Sequence, residues 1–97
     1  EELKVKNLTL NSNTFEDKKD GKEIQLSRKE FSLLEYLMRN SDKVLSKDNI
    51  IAHVWDYEAD ILPNTVEVFI GYLRDKIGSG FIKTVRGFGY KMENWEV

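Results

Sequence analysis

The sequence predicts an α+β fold in which a small antiparallel sheet is followed by three helices and a C-terminal β-hairpin. Three observations lead to this prediction. Apolar and polar residues alternate in short runs up to residue 26, and apolar residues recur at helical spacing between residues 27 and 78. A second alternating pattern with a glycine-rich bend covers residues 81–92. A length of 97 residues fits one domain with one core.

The first 26 residues have the pattern of short strands joined by turns. Predicted strands cover residues 3–7, 8–10, 14–18 and 22–26. Residues 11–13 form one turn, and Asp20-Gly21 is a hairpin-turn signal. No residue of this segment indicates a chemical function, so we interpret the sheet as scaffold.

Two helices are predicted after the sheet. Ser27 and Glu30 have the spacing of a capping box, and the apolar residues that follow make the first helix the centre of the core. This helix ends near residues 40–42. Ser46 caps a second helix that runs to about Trp55.

The third predicted helix covers residues 64–78. Asn64 is the candidate N-cap with Glu67 completing a capping box, and Pro63 and Gly78 mark the two ends. Its core stripe contains Val66, Phe69, Ile70, Leu73 and Ile77. The opposite face contains Asn64, Val68, Gly71, Tyr72 and Asp75. This face is either an ordinary solvated surface or a binding surface, because single exposed apolar residues are common.

The C-terminal hairpin places Arg86 at a projecting turn. Residues 81–85 and 90–92 form its arms, and Arg86-Gly87-Phe88-Gly89 forms the bend. A helix beside such a turn has a diameter that fits a DNA major groove, while the arginine can enter a neighbouring minor groove.

Three blocks of this sequence resemble one protein family. They are Thr-Val-Glu-Val to Leu-Arg-x-Lys-Ile at 65–77, Ile-x-Thr-Val-Arg-Gly-x-Gly-Tyr at 82–90, and the upstream segments 26–34 and Val54-Trp55. In this order and spacing they are similar to the OmpR/PhoB-type winged-helix domain, the DNA-binding output domain of bacterial response regulators. The resemblance implies a winged helix-turn-helix fold, with residues 1–26 as the N-terminal sheet, 27–78 as the three-helix core and 81–92 as the wing.

The resemblance also implies a set of DNA-contacting residues. Positions facing base edges are Thr65, Val68 and Tyr72, and Val68 has the chemistry to pack against a thymine methyl group. Thr84 and Arg86 match wing positions that contact the backbone and the minor groove. The complete predicted set is Trp55, Asn64, Thr65, Val68, Tyr72, Arg74, Lys76, Lys83, Thr84, Arg86 and Tyr90.

The third helix departs from the family pattern at three positions. Gly71 and Tyr72 stand where relatives often have basic residues, and Asp75 adds a negative charge near the expected groove. Gly71 costs the helix about 1 kcal/mol relative to alanine, which indicates either close approach of a partner or sequence drift. Fewer phosphate contacts predict weaker binding with a shallower salt dependence.

Partners follow from the same resemblance. We expect double-stranded DNA with direct repeats, bound by a tandem dimer. The absence of an initiating Met at Glu1 suggests a longer chain in the cytoplasm, with an N-terminal receiver domain that is phosphorylated by a sensor kinase. The connection at residues 56–63 is either a contact for RNA polymerase or a solvated loop.

Composition limits the other function classes. The net charge is −2 and the pI about 5.4, but residues 61–92 carry a net charge of +3. Without cysteine and with His53 as the single histidine, the sequence predicts no metal site, no cofactor and no enzyme active site. The given sequence predicts no signal peptide at its start, and it contains no apolar run of about 20 residues. The alternative function is a winged-helix module that binds protein through Val68 and Tyr72.

Overall fold

A computed structural model describes residues 2–56, 61–62 and 64–94, and it confirms the predicted α+β winged-helix fold. The strands are β1 Glu2–Val5, β2 Leu8–Asn11, β3 Glu16–Lys19, β4 Lys22–Ile24, β5 Ile82–Val85 and β6 Gly89–Met92. The helices are α1 Arg28–Arg39, α2 Lys47–Ile50 and α3 Thr65–Ile77, and a π-helical segment, Ile51–Trp55, continues α2. Among these described elements, no helix has the length and apolar character needed to cross a membrane.

The N-terminal sheet has the strand order β1-β2-β3-β4, and every neighbouring pair is antiparallel. Leu8 and Leu10 alternate with polar residues and point into the core. Asp20 and Gly21 both have positive φ angles (54° and 78°), which is the geometry of a two-residue type I′ turn. The strand predicted at residues 14–18 begins only at residue 16, because Phe15 adopts a left-handed φ of 58°.

Helix α1 is the centre of the core, as predicted. The Ser27 hydroxyl accepts a hydrogen bond from the Glu30 backbone (3.3 Å), and the Glu30 carboxylate accepts one from the Ser27 backbone (2.8 Å). This reciprocal pair is the predicted capping box. Leu33, Leu34 and Leu37 are fully buried beneath the sheet and the other helices.

The second helix differs from the single α-helix that the sequence predicts. After four residues it widens into the π-helical segment, and the Asp56 amide closes it by donating to the Ile51 carbonyl (3.1 Å). Val54 and Trp55 are both buried in this segment. The Lys29 ammonium group donates to the Val54 carbonyl (3.2 Å) and satisfies this end of the segment.

Helix α3 buries four of the five residues of the predicted stripe, because Val66, Ile70, Leu73 and Ile77 are at most 1% exposed. The fifth, Phe69, is half-buried. Its predicted capping box is wrong. Asn64 occupies the N-cap position, but its side chain makes no capping hydrogen bond. The Glu67 carboxylate instead accepts a hydrogen bond from Lys47 on α2 (3.1 Å), because this cation lies within reach and an exposed cap leaves water to satisfy the free amides. The predicted start signal Pro63 lies outside the described residues.

Candidate nucleic-acid interface

The wing tip is a tight turn that presents Arg86. The Phe88 amide donates to the Val85 carbonyl (2.9 Å), which closes a four-residue turn between β5 and β6. Arg86 and Gly87 are its central residues, and the φ of 84° at Gly87 is typical of the third position of a type II turn. The first glycine of the predicted bend is therefore required by the turn geometry.

The second glycine of the bend is required by packing. Leu45 and Tyr90 exchange backbone hydrogen bonds of 2.8 and 2.9 Å, which join the wing to the link between α1 and α2. Gly89 has a φ of 148°, and a β-carbon there would overlap the Leu45 carbonyl oxygen and lie 2.9 Å from the Ser46 α-carbon. The wing is therefore fixed to the helical core immediately after its tip.

Arg74 connects α3 to the wing. Its guanidinium group donates to the Ile82 carbonyl (2.7 Å) and to the Thr84 hydroxyl (3.0 Å). The same group lies 5.9 Å from the centre of the Tyr90 ring, within the range of a cation–π contact. Because neither hydrogen bond uses a carboxylate, Arg74 keeps its positive charge unneutralised beside β5. Arg74, Thr84 and Tyr90, three of the predicted contact residues, thus form one cluster.

The outer face of α3 exposes apolar side chains, as predicted. Val68 is 39% exposed and Tyr72 is 47% exposed, with Asn64 exposed beside them and Thr65 half-buried. A β-carbon at Gly71 would meet no atom within 4 Å, so packing inside the described chain does not require a glycine there. This face is open for contact with another molecule.

An aromatic series supports Tyr72 from below. Its ring lies 5.3 Å from Phe69, and the Phe69 ring lies 5.2 Å from Trp55, both in edge-to-face arrangements. Trp55 is only 3% exposed and Tyr90 only 5%, so most of both side chains lies in the core. Both residues belong to the predicted contact set, and their contacts with DNA stay predictions that only the atoms remaining at the surface could make.

Two cations of the predicted contact set, Lys76 and Lys83, are paired with carboxylates. Lys76 contacts the buried Glu30 at 2.7 Å, which engages it with the start of α1. Burial by itself would raise the pKa of Glu30, but the hydrogen bonds from Lys76 and Ser27 together lower it. Lys83 and Lys91 face each other across the wing and share Glu93, at 3.7 and 3.3 Å. The tail carboxylate therefore reduces the positive charge of the wing.

Arg86 differs from these cations. It is exposed and makes no hydrogen bond or ion pair with any part of the chain that the structure describes. A guanidinium group at a rigid, projecting turn is available for an external acceptor, and it carries five donors in a planar arrangement.

The structure adds two residues that the sequence analysis did not single out. Lys47 and Phe88 line a groove between the start of α2 and the wing tip, together with Thr84 and Arg86. The hydrogen bond to Glu67 raises the pKa of the Lys47 ammonium and lowers that of the Glu67 carboxyl. Both residues could have been found from the sequence. Lys47 follows the predicted helix cap Ser46 directly, and Phe88 belongs to the predicted bend of the hairpin.

The remaining predicted features lie elsewhere. His53 is exposed and stacks on Tyr36 with ring centres 4.3 Å apart. The described residues contain no group of three or more side chains that could hold a metal ion. The connection at residues 56–63 was interpreted as either a contact for RNA polymerase or a solvated loop, and residues 57–60 and 63 of it lie outside the described residues.

Comparisons with known proteins agree with this geometry. Residues 21–92 match the family model "Transcriptional regulatory protein, C terminal". Response regulator ArlR of Staphylococcus aureus is 37% identical over 92 residues, which cover 91% of this chain and 42% of ArlR. The DNA-binding domain of CpxR from Escherichia coli superimposes with a TM-score of 0.85 at 29% identity, covering 97% of each chain.

A third relative is DrrB, a response regulator and OmpR/PhoB homologue of Thermotoga maritima. It superimposes with a TM-score of 0.86 at 28% identity, over 95% of this chain and 44% of DrrB. The chain thus spans less than half the length of ArlR and DrrB. These matches confirm the resemblance inferred from the sequence: the chain belongs to the family of transcriptional regulatory protein C-terminal domains of the OmpR/PhoB type.

Proposed function

We propose that this chain is a DNA-binding output domain of a two-component response regulator, and that it regulates transcription by binding a specific double-stranded site. One observation carries the proposal. Arg86 has no partner among the described residues and lies at the tip of the wing, and Arg74 joins the same wing to the helix that exposes Val68 and Tyr72. The wing tip and the exposed face of α3 are therefore held in a fixed relative position.

In this proposal, α3 enters the major groove with its exposed face towards the base edges. Val68 supplies an apolar surface for a thymine methyl group, and the hydroxyl groups of Thr65 and Tyr72 supply donors and acceptors for base edges. Asn64 and Arg74 bind phosphates at the two ends of this face and fix its register. The wing then places Arg86 over the neighbouring minor groove, where a narrow A·T-rich segment concentrates negative potential.

The ion pairs predict a modest electrostatic contribution. Lys76, Lys83 and Lys91 each contact a carboxylate, which leaves the charges of Arg74 and Arg86 for the DNA. Each neutralised phosphate contributes about −0.9 to the slope of log K against log salt concentration, so these two charges predict a slope of about −2 for each bound domain. Specificity must then come largely from base contacts and DNA shape.

The length of the relatives supports a longer regulator. ArlR is a response regulator of which this chain spans 42%. We therefore propose residues 1–97 as one output domain that is joined to an N-terminal receiver domain, which a sensor kinase phosphorylates. Receiver pairing would place two output domains in tandem on direct repeats, and residues 56–63 are our candidate for a contact with RNA polymerase.

Fluorescence anisotropy tests the DNA-binding part of the proposal. The domain is titrated onto an A·T-rich duplex pool at low salt, beside Arg86→Ala and the matched control Lys22→Ala. Lys22 is an exposed cation on β4, in the N-terminal sheet. We expect salt-sensitive binding that falls about tenfold or more in Arg86→Ala and stays near the unmodified value in Lys22→Ala.

Two results would contradict the proposal. The first is no binding even at low salt, which would favour the alternative of a protein-binding module that uses Val68 and Tyr72. The second is an equal loss of DNA affinity in Arg86→Ala and Lys22→Ala, which would mean that Arg86 acts only through the net charge of the domain.

A further inference from the structure

Phe88 is the most exposed of the large apolar side chains that the structure describes. It is 73% exposed at the wing tip, and no aromatic ring of the described chain stacks on it. Phe15, in the turn between β2 and β3, is nearly as exposed (72%), but its ring lies 5.2 Å from the ring of Phe31. The two residues form a natural pair for comparison, because only one of them belongs to the wing.

The turn holds Phe88 close to Arg86. Gly87 alone separates the two residues, and the amide of Phe88 closes the turn by donating to Val85. Gly89 follows at once and is packed against Leu45, so the backbone on the far side of Phe88 is fixed. Both side chains line the groove between the wing and α2. An external surface that receives the guanidinium group of Arg86 therefore meets the ring of Phe88 as well.

The chemistry of a minor groove fits this pair of side chains. Its floor carries hydrogen-bond acceptors and negative potential, which suit the guanidinium group, while its walls are the apolar C–H surfaces of deoxyribose. Apolar side chains that enter a minor groove pack on these walls and open flexible pyrimidine–purine steps. A phenylalanine cannot hydrogen-bond to bases, so its selectivity would come from shape and deformability.

We propose that Phe88 is a specificity-determining DNA contact, which packs in the minor groove that Arg86 enters and favours a flexible TpA step there. This inference rests on the proposed function. It separates two roles on one turn. Arg86 responds to the electrostatic potential of the groove, and Phe88 responds to how easily the groove widens.

The test uses a duplex selected from a random pool by the unmodified domain, and a second duplex in which the TpA step under the wing is changed to ApT. Binding is measured over a salt series for Phe88→Ala, Phe88→Leu, Arg86→Ala and Phe15→Ala. We expect Phe88→Ala to bind about 5- to 30-fold more weakly with an unchanged salt slope and to lose the preference for TpA. Phe88→Leu should keep most of the affinity, since it keeps an apolar side chain.

The controls isolate the effect. Arg86→Ala should reduce the magnitude of the salt slope by about 1, and Phe15→Ala should bind as the unmodified domain does. Thermal unfolding of each variant checks that the wing remains folded. If the unmodified domain selects no duplex, the proposed function fails and the inference fails with it.

Three results would overturn the inference alone. They are binding by Phe88→Ala within twofold of the unmodified domain, an equal loss in Phe15→Ala, or a loss that appears only on a duplex with two sites. The last result would mean that Phe88 contacts a second copy of the domain instead of the groove.

Discussion

Asp17 gives the stability of this domain an unusual dependence on pH. Its side chain is 2% exposed between the sheet and α1, and its Oδ1 atom has no hydrogen-bond partner among the described residues. Burial, with a smaller contribution from the nearby Glu35 carboxylate, raises the pKa of Asp17 from 3.8 to about 7. The folded state therefore keeps a proton that the unfolded state has already lost across this pH range.

The sign follows from this difference in bound protons. Where the folded state binds more protons than the unfolded state, the free energy of unfolding falls as pH rises. The burial of Asp17 therefore does not lower the free energy of unfolding below pH 3.8, and it lowers it by the full amount above about pH 7. A difference of about three pKa units corresponds to at most about 4 kcal/mol, and local relaxation should reduce this to about 1–3 kcal/mol. Glu30 acts in the opposite direction, because its lowered pKa provides stability that is lost as pH falls.

The Asp17→Asn variant isolates the effect. Urea unfolding from pH 4 to pH 8 should show little difference from the unmodified domain at pH 4 and a variant about 1–3 kcal/mol more stable at pH 8. Asp75→Asn, which changes an exposed carboxylate on α3, controls for the loss of one negative charge. A difference between Asp17→Asn and the unmodified domain that stays constant from pH 4 to pH 8 would refute the reasoning.

Three further substitutions test the packing and the site. Gly89→Ala should lower the free energy of unfolding by about 3 kcal/mol or more in thermal unfolding, because its β-carbon overlaps the Leu45 backbone. Gly87→Ala should lower it by only about 1 kcal/mol, because its β-carbon meets no atom within 4 Å. Similar losses in both variants would contradict the packing argument. Lys76→Ala should lower stability by about 1–3 kcal/mol through the loss of its pair with Glu30, and should leave DNA affinity within twofold in anisotropy. Gly71→Ala should stabilise the domain by up to about 1 kcal/mol in urea unfolding, and an accompanying drop in DNA affinity would show that the duplex approaches this position closely.

Local patterns in the sequence predicted most of the fold. The capping box of Ser27 and Glu30 forms because both partners belong to one turn, and the exposure of Val68 and Tyr72 follows from helical periodicity. The turn of the wing also lies where the sequence predicted it, at Arg86 and the glycines that follow. In each case residues close in sequence determine the geometry.

Contacts between distant residues limited the prediction of the site. Glu67 does not complete the expected capping box, because its carboxylate pairs with Lys47, 20 positions away. Lys76 is engaged with Glu30, 46 positions away, and no periodicity shows this. The reason for Gly89 lies in the Leu45 backbone, which only the folded chain brings near. Charge counts along the sequence therefore overstated how many cations the wing side leaves free.

The central claim is that Arg86 reads an A·T-rich minor groove while α3 reads the adjacent major groove. Inosine·cytosine pairs test it directly, because they match A·T in the minor groove and G·C in the major groove. At the A·T pairs beneath the wing in a selected duplex, with any TpA step left unchanged, we predict that I·C pairs preserve affinity and that G·C pairs weaken it. The Arg86→Ala variant should bind the three duplexes nearly equally. Weakening by I·C as strong as by G·C, or discrimination that survives in Arg86→Ala, would contradict the account.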